Sequence, residues 1–529
     1  MPAHTNSPIA QKDQSSRQAC AKRKLVTRRA RIALAMALLV ATAAGLAFSD
    51  PMGLVIPKLQ VFGDPDGAFA TINVGGPTDT STNPFFLDMG TNGRRCVTCH
   101  EPSDAFSITP PHLQERFYAT GGTDPIFRPV DGATCPTADV STLEKRSEAY
   151  RLLLSRGLIR VFITVPANAD YEVMSVINPY GCNATDVISM YRRPLPTTNL
   201  PFLSAVMFDG RESTPVTGTT KIIFSNYPSS LMSDLAHQSV DATVIHAQGN
   251  GTRPTPAEQQ QIVNFETQLF TAQLFDSRAG LLNQNGANGG PALLTAQPFF
   301  ITINSSVHPL VPTLEQPGGL VTPGDGQFTP NIFELYEAWT QDNDDFAGVH
   351  RSIARGEELF DSLAIPISGV AGINDDVAAG GLVAGGIATL QGTCGTCHDT
   401  PDVGNHSFPT PLNIGTGDPS PTSPFVNLGG LDLSYLPLIT VCQKDLTTGL
   451  PTDNCKTTTD LGQAAIDGKF DHIGKIKGPI LRGLAGRAPY FHNGSAATLM
   501  DVVNFYNTRF VLNLTDQQKT DLVAFLKTL

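Results

Sequence analysis

Apolar residues recur at helical spacing in several segments of this chain, with polar residues between them. In residues 143–156, leucine and tyrosine side chains repeat at the spacing of one helix face, and charged residues occupy the positions between them. This pattern predicts an amphipathic helix. The residues that follow, 158–165, predict an extended segment.

Three further segments are predicted to be helical. Residues 256–274 follow Thr255, which can cap a helix, and begin with a proline that fits the first turn. Helices are also expected over 346–360 and over 515–528, the last capped by Thr515. Residues 280–326 between them are rich in Gly, Asn and Pro, which indicates a domain boundary or an exposed insertion.

The first fifty residues have the pattern of an export signal. Six basic residues, at positions 22–31, precede an apolar run over 32–48 with small residues at its end. A basic region followed by an apolar run and cleavage options is typical of a signal peptide. The alternative is that this run is retained as an N-terminal membrane anchor. In either case the rest of the chain is expected in the periplasm.

The net charge of the protein limits which classes of macromolecule it can bind. The formal net charge is -12 over 529 residues, and loss of residues 1–49, which carry eight basic residues and one acid, removes seven net positive charges and leaves -19. Such a surface excludes nucleic acid as a partner and favours a basic protein. A mean hydropathy of -0.05 with 16% charged residues is typical of a globular protein.

The motif C-x-x-C-H occurs twice, at residues 96–100 and 394–398. Two thiols at this spacing can form thioethers to both vinyl groups of one porphyrin, and the adjacent imidazole then falls under the iron. A lone C-x-x-C would fit a redox dithiol or half of a zinc site, but the histidine that follows both copies favours c-type haem. The sequence therefore predicts two covalent haems, held by Cys96, Cys99, Cys394 and Cys397.

Four other cysteines remain after the signal segment. Their even number in an oxidising compartment suggests disulfides. Proximity in sequence favours Cys135 with Cys182 and Cys442 with Cys455. Pairing across the two halves is the alternative.

These signals predict the organisation of the chain. We expect a mainly α protein with two cytochrome c-like haem domains, long irregular loops and insertions. The predicted divisions are a signal peptide or anchor (1–49), a first haem domain (50–251), a helical segment with a Gly/Pro-rich connector (252–341) and a second haem domain (342–529).

Motifs in a fixed order carry a family resemblance. The two haem motifs, Arg192-Arg193 with the Phe-Asp-Gly-Arg segment at 208–211, and the segments at 478–483, 488–494 and 498–499 resemble the bacterial di-haem cytochrome c peroxidase superfamily, which includes MauG-type enzymes. The resemblance departs at the insertions, chiefly 103–191 and 251–341.

The resemblance implies a division of labour. The first haem, with His100 as proximal ligand, would react with hydrogen peroxide. The second, with His398 as proximal ligand, would relay electrons from a small cytochrome c or cupredoxin. The alternatives are a MauG-like oxidase that acts on a protein or organic substrate, and a non-catalytic di-haem electron carrier.

The resemblance also implies distal and bridging residues. The distal ligand of the second haem falls on Tyr506, eight residues after Thr498, with Met500 as the runner-up. Phe208 stands where relatives place a tryptophan between the haems. Electron transfer between the haems by oxidation of that side chain is therefore weakened. His492 matches a histidine near the relay haem. Calcium is a possible ion, bound by the main-chain oxygens of Arg487 and Pro489.

The acid–base group of the first haem departs from the family pattern. In the family, the acid–base group is a Glu ten residues after a Gln. Counting ten residues from Gln238 gives Gln248, whose side chain cannot carry protons, whereas the nearby His246 can. His246 is therefore the first candidate, with Asp241, His237 and Glu212 behind it. The alternative is that His237 and His246 only pack or form hydrogen bonds on a helix, or that one of them binds the resting iron.

Overall fold

The fold is a mixture of helices and small sheets. The computed structural model describes residues 55–213, 229–251, 253–297, 334–343, 345–376, 385–398 and 411–529. Of these residues 32% are helical and 21% lie in strands. The prediction of a mainly α fold is therefore wrong. The reason is visible in strands that were not predicted, such as Tyr171–Ile177, whose β-branched and aromatic residues favour extended structure.

The strands are short and spread along the whole described chain. They are β1 (Val55–Ile56), β2 (Leu59–Asp64), β3 (Gly67–Asn73), β4 (Thr78–Asp79), β5 (Ile159–Thr164), β6 (Tyr171–Ile177), β7 (Val187–Arg192), β8 (Leu269–Asp276), β9 (Gly280–Leu281), β10 (Ile365–Ile367), β11 (Leu390–Gly392), β12 (Pro419–Ser420), β13 (Ser423–Asn427), β14 (Leu438–Lys444) and β15 (Pro451–Thr458).

The α-helices of the described residues alternate with these strands. They are α1 (Cys96–Cys99), α2 (Pro110–Thr120), α3 (Leu143–Ala149), α4 (Arg151–Arg156), α5 (Ser229–Asp241), α6 (Pro256–Thr267), α7 (Pro291–Leu294), α8 (Ala347–Ser362), α9 (Ala464–Asp467), α10 (Leu499–Arg509) and α11 (Asp516–Leu526).

A four-stranded antiparallel sheet, in the order β2-β3-β8-β9, joins distant parts of the chain. In its centre Ala70 of β3 pairs with Ala272 of β8. The helix predicted over 256–274 is confirmed for its first part, since α6 begins behind Thr255 with a reciprocal capping box. It is wrong from residue 269 onward, because β8 is paired with β3 and buried, and this long-range pairing overrides the local helical pattern.

A second sheet, in the order β15-β14-β6, connects the insertion after the first haem motif to the region after the second. Its β14–β15 hairpin carries the disulfide between Cys442 and Cys455, and a further disulfide joins Cys135 to Cys182. Both predicted pairings are confirmed. The extended segment predicted over 158–165 is confirmed as β5, which pairs with β7.

Helices α8 and α11 pack closely and belong to a large hydrophobic cluster that also holds Trp339. Gly356 permits this approach, because a Cβ atom there would lie 2.0 Å from the carbonyl oxygen of Asp521. The helices predicted over 346–360 and 515–528 are confirmed, the latter capped by Thr515. The helix predicted over 143–156 is interrupted at Tyr150, which leaves the helical region between α3 and α4.

Two sequence predictions fall wholly or partly outside the described residues. The signal segment (1–49) lies outside them, and so does most of the connector over 280–326. Within the described ranges, no helix combines the length and the apolar character needed to cross a bilayer.

Candidate functional site

The first C-x-x-C-H motif forms a single helical turn, α1. Arg95 precedes the turn, and its backbone N–H donates to Thr98 Oγ1. His100 follows the turn, and its Nδ1 lies 3.2 Å from the carbonyl oxygen of Phe106. Phe106 has a left-handed backbone, with a φ of 56°. When Nδ1 carries the proton that bonds this carbonyl, Nε2 of His100 is the nitrogen left for a metal.

A cavity of about 1470 Å³ lies beside this turn. Cys96, Cys99 and His100 line it. Burial raises the pKa of both thiols and lowers the pKa of His100 to about 4, so the imidazole is neutral. A neutral imidazole is the form that binds iron.

The second motif lies beside a cavity of about 1830 Å³. Cys394, Cys397 and His398 line it, together with Tyr506 from α10. The Tyr506 hydroxyl lies 3.4 Å from Nε2 of His398. At this distance the hydroxyl and the imidazole nitrogen face each other directly, so these two side chains are the pair from which a metal ion at this motif could take ligands.

Met500 does not line the second cavity. It belongs to α10 like Tyr506, but the cavity-lining residues of this helix are Leu499, Val502, Val503 and Tyr506. The geometry favours Tyr506 over Met500 as the group opposite His398. Burial raises the pKa of Tyr506, so the phenol is neutral in the absence of a metal cation.

Several features of the two cavities fit haem. The four motif cysteines are free thiols, whereas the other four described cysteines form disulfides. Seven of the described residues line both cavities and form a shared wall between them: Arg193, Pro194, Leu195, Pro196, Phe208, Lys477 and Ile480.

Two buried arginines of the second cavity add a charge argument. Arg193 and Arg487 are 7% and 9% exposed, and both line the second cavity. Their side chains donate to main-chain carbonyls, and no carboxylate of the described residues lies within ion-pair distance of either guanidinium. Burial lowers the pKa of each to about 10, which still leaves both charged at neutral pH. A buried cation without a counter-ion is energetically costly, and the two carboxylates of haem would supply one.

The same arginines bear on the predicted calcium ion. The carbonyl oxygen of Arg487, one of its expected ligands, accepts a hydrogen bond from Nη2 of Arg193 at 3.1 Å. A guanidinium therefore occupies the position from which this oxygen would bind a cation.

His246 lines the first cavity and ends a π-helical turn, Ala242–His246, that continues α5. Such turns are frequent at functional sites. Its Nδ1 lies 2.5 Å from Oδ2 of Asp131, and Oδ1 of Asp131 accepts a hydrogen bond from Arg94 at 2.5 Å. Although burial opposes ionisation, the Arg94 guanidinium and His246 hold the pKa of Asp131 below its usual range.

The other three acid–base candidates lie together, but not at either cavity lining. Glu212, His237 and Asp241 form a cluster whose nearest ligand atoms all lie within 4.8 Å of one another. Glu212 accepts a hydrogen bond from Nδ1 of His237 at 2.7 Å. Since none of the three lines the first cavity, His246 is the candidate that the geometry favours.

Phe208 and His492 lie at the boundary between the two cavities. Phe208 lines both, is 6% exposed, and its ring centroid is 6.0 Å from that of His492. His492 lines the second cavity, 3.8 Å from a carboxylate oxygen of Asp460, which is itself paired with Arg192. A buried aromatic side chain, Phe208, thus lies between the two cavities, as the family resemblance implies.

Two acids of the first cavity were missed by sequence reasoning. Asp131 lies 115 residues before His246 in sequence, inside an insertion without a motif. Glu266 lies on α6, is 3% exposed, and its Oε2 has no hydrogen-bond partner. Burial raises the pKa of Glu266 to about 8. In the sequence, the only indication of this buried acid was its position among the apolar residues of the helix predicted over 256–274.

Comparison with known proteins agrees with the motifs. No protein-family model matches the chain. Cytochrome-c peroxidase IdrP2 of Denitromonas iodatirespirans is 38% identical over 98 residues, 17% of this chain and 26% of that protein. Cytochrome-c peroxidase IdrP1 of the same organism is 43% identical over 68 residues, 11% and 18% of the two chains. Cytochrome-c peroxidase IdrP2 of Pseudomonas sp. (strain SCT) is 30% identical over 222 residues, 38% and 54%.

The matched segments span about half or less of the length of these relatives. The similarity therefore applies to segments of each protein. Within that extent, the matches support a relationship between this chain and the cytochrome-c peroxidase family.

Proposed function

We propose that this chain is a peroxidase with two covalently bound haems, which reduces hydrogen peroxide with electrons from a small periplasmic redox protein. The observation that carries the proposal is that each C-x-x-C-H motif lines a separate large cavity with free thiols and a histidine, and that the cavities share a wall. The names of the relatives support the peroxidase class.

The residues that would hold the haems follow from the cavity linings. Cys96 and Cys99 would attach the first haem, and Cys394 and Cys397 the second, with His100 and His398 as proximal ligands. Arg193 and Arg487 supply the positive charge that the haem carboxylates need. When bound, haem supplies an iron that binds peroxide and exchanges single electrons.

The proton chemistry belongs to the chain. Reduction of hydrogen peroxide to two waters consumes two electrons and two protons. His246 at the first cavity can take the proton from one peroxide oxygen and return it to the oxygen that leaves.

The second cavity suits electron relay. Tyr506, which faces His398, would hold this haem as a second ligand, so that the site would exchange electrons without binding peroxide. Among the described residues, Phe208 is the one aromatic side chain that lines both cavities. The negative net charge would attract a basic cytochrome c or cupredoxin.

Tyr506 also favours a second candidate function. In the resemblance, a tyrosine ligand belongs to the MauG-type enzymes, which oxidise a protein or organic substrate. Phenolate ligation stabilises oxidised iron, whereas a thioether raises the potential. Phe208 in place of tryptophan argues against that candidate, since phenylalanine is harder to oxidise than indole.

Stopped-flow mixing of hydrogen peroxide with the half-reduced holoprotein tests the proposal. We expect a rapid spectral change at the first haem and steady peroxide consumption when a reduced small cytochrome is added. A protein that contains both haems but leaves peroxide unchanged would be an electron carrier. Consumption of peroxide only when a protein or organic substrate is added would favour the oxidase.

A further inference from the structure

Asp131 links the first haem motif to the acid–base histidine. It is 1% exposed, and each of its two oxygens is engaged. Oδ2 lies 2.5 Å from Nδ1 of His246, and Oδ1 accepts from Nη1 of Arg94 at 2.5 Å. The three side chains all line the first cavity.

Arg94 gives this carboxylate a fixed place. Its guanidinium also donates to the carbonyl oxygens of Pro125 and Ile126, at 2.9 and 2.6 Å. A third donation, at 3.2 Å, goes to the carbonyl oxygen of His246 itself. Arg94 directly precedes Arg95 and the α1 turn. The network therefore ties the loop of Asp131, the first haem motif and the π-helical turn of His246 into one unit.

The hydrogen bond to Asp131 decides which nitrogen of His246 is free. A carboxylate can only accept, so Nδ1 must carry the proton at this contact. In a neutral imidazole the other nitrogen, Nε2, is then the acceptor. Without the carboxylate, the ring could turn or take the other tautomer, and Nε2 would lose its acceptor role.

We propose that Asp131 is a positioning residue that fixes the tautomer and orientation of His246 for proton transfer in the first cavity. The proposal rests on the peroxidase function proposed above. Nε2 of His246 accepts the proton of the incoming peroxide, which leaves His246 positively charged beside the Asp131 carboxylate. The same proton then goes to the departing oxygen as the O–O bond breaks, so that this oxygen leaves as water and His246 returns to its neutral form. A haem held by Cys96 and Cys99 would supply the two electrons that this cleavage needs.

Asp131→Asn tests the proposal, because asparagine keeps the shape and can donate where Asp131 accepts. We expect the peroxide reaction of the first haem to slow by roughly 10- to 100-fold, the usual effect of losing a group that orients a functional histidine. The decisive comparison is a double-mutant cycle with His246→Ala. In the His246→Ala background, Asp131→Asn should have little further effect.

Asp467→Asn serves as the matched control. Asp467 is also a buried carboxylate that bonds a histidine, with Oδ2 2.6 Å from Nδ1 of His472. Neither residue lines a cavity that holds a haem motif. We expect wild-type peroxide kinetics in this variant.

Two ligands separate a positioning role from a general loss of structure. Hydrogen cyanide must give up its proton to bind ferric iron, whereas carbon monoxide binds ferrous iron without any proton transfer. Asp131→Asn should slow cyanide binding at the first haem and leave carbon monoxide binding unchanged. Equal slowing of both ligands, wild-type peroxide kinetics, or the same loss in the His246→Ala background would overturn the proposal. Failure of the wild-type protein to react with peroxide would instead refute the proposed function on which it rests.

Discussion

The two cavities are each lined by one copy of the same five-residue motif, but the residues that face the motif differ. Two carboxylic acids, Asp131 and Glu266, line the first cavity together with His246. Among the described residues that line the second, there is no carboxylic acid, and a phenol stands 3.4 Å from the motif histidine. Under the proposed function, the motif would attach a haem in both cavities, whereas the opposite wall would decide between proton chemistry and electron relay.

Removal of one thiol pair at a time should have the largest effect on this contrast. We expect Cys96→Ala with Cys99→Ala to remove the first haem and all reaction with peroxide. Cys394→Ala with Cys397→Ala should remove only the second haem and abolish turnover with a cytochrome donor, while carbon monoxide binding remains. Intact mass and the pyridine haemochrome assay count the haems. Loss of both haems from either variant would contradict separate sites.

Loss of the proton carrier should have the next largest effect. His246→Ala is expected to slow the peroxide reaction by roughly 10² to 10⁴, the usual contribution of a positioned acid–base group. Rapid-mixing spectra measure it. His237→Ala is the control, since His237 does not line the cavity. If the His237 variant were the slow one, the role would belong to the cluster of Glu212, His237 and Asp241.

Change of the phenol should affect the second site alone. Tyr506→Phe is expected to alter the low-spin spectrum and the potential of the second haem, because an axial ligand sets both. Tyr435→Phe is the matched control, since Tyr435 is partly buried like Tyr506 and bonds a main-chain oxygen but lines neither of these cavities. A spectrum that does not change in the Tyr506 variant would favour Met500 or another ligand.

The shared wall offers a gain-of-function test. Phe208→Trp should speed electron transfer between the haems, because indole is easier to oxidise than a phenyl ring, without any change in the ligands. Reduction of the first haem after rapid mixing with a donor reports the rate. Phe62→Trp, outside both cavity linings, should leave it unchanged. Equal rates in wild type and the Phe208 variant would remove Phe208 from the path.

The prediction with the smallest effect on the contrast between the two cavities concerns the free energy of unfolding of the protein. Burial raises the pKa of Glu266 from 4.5 to about 8, so the folded protein keeps a proton that the unfolded chain loses in this range. The free energy of unfolding should therefore fall as pH rises from about 4.5 to 8, by up to about 1.4 kcal/mol per pH unit. Glu266→Gln should remove this slope in urea unfolding curves. The exposed Glu115→Gln should keep it.

Sequence reasoning reached the parts of the site that are local in the chain. The attachment motifs and the helix caps at Thr255 and Thr515 depend on residues close in sequence, and each disulfide joins cysteines at most 47 residues apart. The structure agrees with the pairings and caps. The strand β8 was missed because its pairing partner, β3, lies about two hundred residues earlier. Asp131 was missed for the same reason, since only folding brings it to His246.

Carbon monoxide titration of the fully reduced protein tests the central contrast most directly. If the first haem has an open position and Tyr506 closes the second, the visible spectrum should report one carbon monoxide bound per chain. That binding should persist without Cys394 and Cys397 and disappear without Cys96 and Cys99. Two bound molecules, none, or one that depends on Cys394 and Cys397 would contradict the account.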